Sequence, residues 1–185
     1  MALTESTMLE LGTAAPDFAL TDVVTGKTVR RDDFQGHKGL LVMFICTHCP
    51  FVKHIEKSLA QMSRDYAGKP IAIVAISAND AVTHPDDSPE GLKAQAQAQG
   101  FVFPYLYDES QAVARAYTAA CTPDFFLFDS RFQLVYRGQY DASRPKNDIP
   151  VTGQDLRAAL DLVLAGKPVP TDQHASIGCN IKWKA

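Results

Sequence analysis

Long apolar runs are missing from this chain. The longest, Gly39 to Ile45, falls far short of the roughly 20 residues that a bilayer span needs. An excess of positive charge is missing too: 18 Lys and Arg against 21 Asp and Glu leave a net charge of −3. No basic stripe is visible, so the electrostatic footprint of a nucleic-acid binder is absent. The first residues, Met1-Ala2-Leu3-Thr4-Glu5-Ser6, have neither a basic segment nor an apolar one. They do not read as a secretory signal, and the expected compartment is the cytoplasm. Cysteine is scarce, with four in 185 residues. That is no disulfide scaffold; in such a chain cysteines bind metal or react. Internal repeats and low-complexity tracts are also lacking. The expectation is one domain over residues 1–185, with 1–15 a loosely held arm and 167–185 a tail.

What is present alternates between strand and helix patterns. Pro16 to Leu20 reads as a short strand, and Thr28 to Arg30 as its hairpin return after a turn at Thr25-Gly26-Lys27. Leu40 to Ile45 has the length and continuity of a fully buried strand. Phe51, Ile55, Leu59, Met62 and Tyr66 then recur at helical spacing, with Pro50 suited to a first turn. Ile71 to Ile76 is a second buried strand, closing a βαβ unit. A polar loop, 78–88, leads to a helix capped by Ser88 and opened by Pro89, ending near Gln99. Phe103 to Tyr107 suits a short strand. Asp108 and Gln111 resemble a capping box before a short helix to Tyr117. Phe125–Phe128 and Leu134–Tyr136 are separated by so short a turn that they must be antiparallel. Thr152 is placed to cap a last helix, with Gly166 beyond its end. The tail holds Cys179 and Trp183.

Chemistry concentrates at Cys46-Thr47-His48-Cys49. The thiolate is the nucleophile in disulfide exchange. A helix N-terminus offers unpaired N–H groups and a positive dipole end, which favour an anion. Cys46, between a buried strand and a helix, is expected at such a terminus, as the more exposed and more acidic thiol. Cys49, about one turn on, is placed to resolve a mixed disulfide. A cationic His48 would further favour the Cys46 thiolate. The competing reading is half of a zinc site, which needs further ligands; Cys121 and Cys179 are isolated in sequence. Cys121 reads as a third redox thiol or a small buried residue. Cys179 reads as a tail thiol that can bond Cys121 or another chain. The adjacent Asp86 and Asp87 read as support for a helix N-terminus.

Three segments carry a family resemblance: Gly12-Thr13-Ala14-Ala15-Pro16-Asp17-Phe18, Phe44 to Lys53 around the cysteine pair, and Cys121-Thr122-Pro123-Asp124-Phe125 to Asp129. The tail Gly178 to Lys184 fits as well. Together they resemble the thioredoxin superfamily, in its peroxiredoxin-like redoxin branch, among relatives of alkyl hydroperoxide reductase and thiol-specific antioxidant. The resemblance implies a thioredoxin-like α/β fold: a central mixed sheet flanked by helices, with an N-terminal β-hairpin extension. It implies that Pro123 is a cis-proline facing the cysteine pair. It also implies that Thr122 offers backbone groups to a substrate strand. Two departures stand out. Met43 occupies the place of the peroxiredoxin threonine three residues before Cys46. No arginine stands near Thr122-Pro123, and neither Arg115 nor Arg137 is an obvious substitute.

The expected activity is thiol–disulfide exchange by Cys46 and Cys49 on protein or small-molecule disulfides, recycled by an external dithiol and without a cofactor. The alternatives are a peroxiredoxin-like antioxidant, in which Cys46 passes through a sulfenic acid, and a metal-binding protein using Cys46, Cys49 and a histidine. No resident metal is expected on the leading reading, and no oligomeric state follows from the sequence. Asp124 and Asp80 are the candidate proton acceptors for Cys49, each with a plainer role as a turn or cap residue.

Overall fold

The run from Leu40 to Ile45 is apolar at every position because both of its faces are covered. The computed structural model describes residues 2–185, so Met1 of the expected arm lies outside the described residues. Strand β4 (Gly39–Phe44) is buried throughout. Its odd positions Leu41 and Met43 face a layer formed by helices α1 (Pro50–Tyr66), α2 (Pro89–Gln99) and α4 (Gln154–Leu164). Its even positions Leu40, Val42 and Phe44 face helix α3 (Ala112–Ala116), with Tyr117 and Phe18. Strand periodicity thus divides one apolar run between two cores.

A seven-stranded mixed sheet carries this division. Its order is β3 (Thr28–Arg30), β2 (Ala19–Asp22), β6 (Tyr105–Tyr107), β5 (Ile71–Ser77), β4, β8 (Asp124–Asp129), β9 (Leu134–Tyr136). β4, β5 and β6 run parallel; β8 returns antiparallel beside β4, and β9 antiparallel beside β8. The hairpin β2–β3 forms one edge, as expected. No helix among the described residues is long and apolar enough to cross a membrane.

The two ends of the chain depart from expectation. The arm contains β1 (Leu3–Glu5), and the tail contains β10 (Ile177–Asn180). β10 lies between β1 and β7 (Cys121–Thr122) in a separate three-stranded antiparallel sheet. Neither segment has enough alternation to announce a strand; each is stabilised by pairing with residues far away in sequence. Gly178 shows why the tail can lie there. A Cβ at this position would sit 2.0 Å from the Thr122 carbonyl oxygen.

Two caps also differ. Gln111 does not close a capping box: its side-chain amide donates to the carbonyls of Ala78 (2.7 Å) and Lys182 (2.9 Å). Asp108 accepts from the Ala114 amide at 2.8 Å. The cap of α4 is Gly153, at φ 69°, one residue later than expected, while the Thr152 hydroxyl accepts from Gln154 N–H. Ser88 caps α2 as expected, accepting from Gly91 N–H at 3.2 Å.

Candidate active site

The β4–β8 register assembles the centre of the site. Phe44 stands opposite Asp124, so the two chains leave the ladder with Cys46 beside Thr122. The Cys46 Sγ lies 3.4 Å from the Thr122 hydroxyl, and the Thr122–Pro123 bond is cis, as the resemblance implied. Helix α1 begins at Pro50 with Cys49 as its N-cap. The helix terminus therefore belongs to Cys49, and Cys46 lies in the loop before it. This corrects the expectation that Cys46 is the exposed, acidic thiol. Both residues are fully buried, at 0% exposure.

Around Cys46 the groups are polar and come from the loop after β5. Asp87, itself fully buried, is their hub. One carboxylate oxygen accepts from the Thr47 N–H (2.8 Å) and the Thr47 hydroxyl (2.6 Å). The other accepts from the Asn79 amide (2.9 Å) and lies 2.6 Å from Nδ1 of His48. The His48 ring stacks on His84, with centroids 5.0 Å apart. A second chain of contacts holds the Cys46 backbone. The Tyr105 hydroxyl donates to Gln95 (2.9 Å), whose amide donates to the Cys46 carbonyl (3.0 Å) and to Glu56 (3.1 Å). Asp87 thus stands just before the Ser88 cap, as expected, but its carboxylate is engaged by the active-site loop. Gly91 leaves room for this loop, since a Cβ there would meet the Asp86 carbonyl oxygen at 2.0 Å.

Around Cys49 the neighbours are sulfur and backbone. Its Sγ lies 2.7 Å from the Sγ of Cys179, and its thiol can donate to the Thr122 carbonyl at 3.3 Å. Hydrogen bonds from Cys46 lower the Cys49 pKa to about 5, against burial, with further help from the Cys179 thiol and the amides of Val52 and Cys179. The bond to Cys49, burial and the Asp87 carboxylate together push the Cys46 thiol up. The donors that converge at the helix cap therefore favour the charged form of Cys49 over that of Cys46.

The remaining residues sort by place. Cys179 meets Cys49, not Cys121. Cys121 is buried, its sulfur 3.5 Å from the Pro123 carbonyl; burial and the nearby Asp124 carboxylate raise its pKa. The backbone edge at Cys121–Thr122, expected to receive a substrate strand, is paired with β10. Asp124 is buried and accepts from Ala120 N–H at 3.2 Å; burial raises its pKa to about 7. Asp80 accepts from Val82 N–H and the Thr83 hydroxyl, a turn role. Arg115 stacks over Trp183 at 4.3 Å. Arg137 donates to Leu9 and Gln173. Donor atoms of Cys46, His48 and Asp87 lie within 4.8 Å of one another, a set that can hold a metal ion; Cys49 is not part of it.

In sequence, Asp87 reads only as a helix-terminus residue, and Asn79 and Gln95 are not singled out. One signal was available: their segment follows the C-terminal ends of parallel strands, where α/β sheets place their sites.

The AhpC/TSA family model matches residues 11–137. A thiol-disulfide oxidoreductase named ResA, from Geobacillus kaustophilus, is 32% identical over 134 residues, covering 71% of this chain and 70% of the relative. A crystal structure of an uncharacterized conserved protein from Geobacillus kaustophilus is 55% identical, with a TM-score of 0.97, over 100% of this chain and 97% of that one. A hypothetical protein from Sinorhizobium meliloti is 52% identical, with a TM-score of 0.96, over 98% and 99%. The fold is thioredoxin-like.

Proposed function

The chain belongs to the AhpC/TSA family of thioredoxin-like oxidoreductases, and on that premise we propose a thiol–disulfide oxidoreductase in which Cys46 attacks and Cys49 resolves. One arrangement carries the assignment of roles: the His48–Asp87 pair stands within 4.8 Å of the Cys46 sulfur, which is hydrogen-bonded to Cys49. A base held by a third group next to a thiol is the pattern of an activated nucleophile. In the cycle the His48 ring takes the Cys46 proton, and Asp87 stabilises the cationic ring. Cys46 attacks a substrate disulfide and expels one thiolate. The Cys49 thiolate then attacks the Cys46 sulfur and expels the second. An external dithiol of the cytoplasm reopens the Cys46–Cys49 bond. Thr47 and His48 are the partly exposed members of the motif, so they form the cover that a substrate displaces.

Cysteine variants test this reading. Cys49→Ser incubated with a disulfide substrate is expected to accumulate a mixed disulfide at Cys46, and Cys46→Ser to accumulate none. The reverse pattern would exchange the two roles, and no mixed disulfide in either would remove the activity. Thiolate absorbance of the reduced protein should titrate with a midpoint near about 5, and the signal should vanish in Cys49→Ser.

Family membership favours a second reading, a peroxidase acting through Cys46. Met43 is buried at the place of the peroxiredoxin threonine, and Arg115 and Arg137 are engaged elsewhere. Insulin-type disulfide reduction and hydroperoxide consumption, measured side by side, decide between them. Faster peroxide turnover would favour the peroxidase.

A further inference from the structure

The cycle above makes no use of Cys179, yet its Sγ lies 2.7 Å from that of Cys49. That is inside van der Waals contact and longer than a covalent S–S bond of about 2.05 Å. The approach is built into the fold. Cys179 is opposite Thr122 in the β10–β7 ladder and opposite Leu3 in the β10–β1 ladder, so β10 is held from both sides. Gly178 lets that backbone press against Thr122. The Cys179 amide also hydrogen-bonds to the Cys49 sulfur. Cys121, one strand away, has its sulfur turned to the Pro123 carbonyl instead.

We propose that Cys179 is a third redox thiol that exchanges with Cys49, so that the oxidised protein alternates between a Cys46–Cys49 and a Cys49–Cys179 disulfide. This rests on the Cys46–Cys49 disulfide of the preceding reading. The Cys179 thiol attacks the Cys49 sulfur; the Cys49–Cys179 bond forms, the Cys46–Cys49 bond breaks, and Cys46 leaves. The proton lost by Cys179 ends on Cys46. Two thiols and one disulfide become one disulfide and two thiols with Cys121 a spectator, and no oxidant or reductant is consumed.

Electrostatics support a gate on this step. In the dithiol state burial, together with the hydrogen bond and charge of Cys49, pushes the Cys179 pKa up to about 12. Once Cys49 is in a disulfide, its charge is gone and the favourable field of Lys182 remains. Cys179 therefore gains nucleophilic character when there is a disulfide for it to attack. The exchange returns Cys46 to the thiol form while the protein still stores the oxidising equivalents.

The test uses the full chain. Reduced wild type, Cys46→Ser, Cys46→Ala and Cys179→Ser are oxidised with diamide, quenched in acid at intervals, alkylated and mapped without reduction. In wild type the Cys46–Cys49 bond is expected first, declining as Cys49–Cys179 grows. Both Cys46 variants should form Cys49–Cys179 at several times its wild-type share; having two of them guards against one misfolded protein. Cys179→Ser should keep Cys46–Cys49 throughout. A wild type that forms only Cys46–Cys49, with Cys49 fully alkylated in both Cys46 variants, overturns the proposal and leaves the preceding reading intact. A wild type that never forms Cys46–Cys49 overturns that reading and the exchange route with it.

Discussion

Cys46 and Cys49 are three positions apart in the chain, but the fold surrounds them differently. The Cys46 side is a loop of polar side chains: Asp87 satisfied by Thr47 and Asn79 and set against His48, with Gln95 fixing the Cys46 carbonyl. The Cys49 side is a helix cap and a short sheet, with sulfur and backbone amides as the donors. The first side offers a base for making a thiolate on demand. The second surrounds Cys49 with donors that favour its thiolate. Nearly equal burial thus yields opposite pKa shifts, because charge and hydrogen bonds, rather than depth, separate the two sulfurs.

Removing the hub of the loop side should have the largest effect. In Asp87→Ala the Thr47 amide and hydroxyl and the Asn79 amide lose a buried acceptor. A loss of about 2–4 kcal/mol of stability is expected, measured by urea unfolding. Disulfide reductase rate should fall by about 10²-fold. A variant with wild-type rate would break the contrast by making the loop side a scaffold only. Next is the tail side. Gly178→Ala forces a Cβ onto the Thr122 carbonyl and should cost about 1–3 kcal/mol. The Cys49 pKa should rise toward its ordinary value as the Cys179 donors withdraw. Unchanged thiolate titration would show that the helix cap and Cys46 suffice.

A third test, which leaves the reactive sulfurs themselves untouched, sharpens the comparison through pH. Asp124, at the foot of the tail sheet, has its pKa raised by burial from 3.8 to about 7. Between these values the folded state keeps a proton that the unfolded state has lost. Its contribution to stability is therefore full below about 4 and declines as pH rises to about 7. Asp124→Asn should abolish that decline, so its stability relative to wild type rises by up to about 4 kcal/mol between pH 4 and pH 8. Parallel pH profiles of the two proteins would mean that the wild-type carboxyl is not perturbed.

The legibility of the sequence follows the same boundary. Whatever depends on local pattern was readable. Leu40–Ile45 announced a buried strand, Ser88-Pro89 a helix start, and Leu134–Tyr136 an antiparallel return, and all are found. The cysteine motif was readable from its own spacing, while the place of Pro123 came from the resemblance. What depended on distant pairing was silent. Strands β1 and β10 are too short to show alternation, and only the β10–β7 register brings Cys179 to Cys49. Asp87 looked like any carboxylate before a proline-opened helix, because its partners Asn79, Thr47 and His48 are 8 and about 40 residues away. The helix start was readable at Pro50, but a shift of three residues moved the dipole from Cys46 to Cys49.

The strand that lies over the sulfurs carries Cys179, 130 residues after Cys49, so it is synthesised later than they are. Cys46 and Cys49 leave the ribosome long before residues 177–180. During that interval Thr122 has no strand on its free edge, and the Cys49 sulfur has no neighbour at position 179. Synthesis of β10 is therefore a step in assembling the chemistry: residues 177–180 seat themselves beside Leu3–Glu5 and convert an open pair of thiols into a covered group of three.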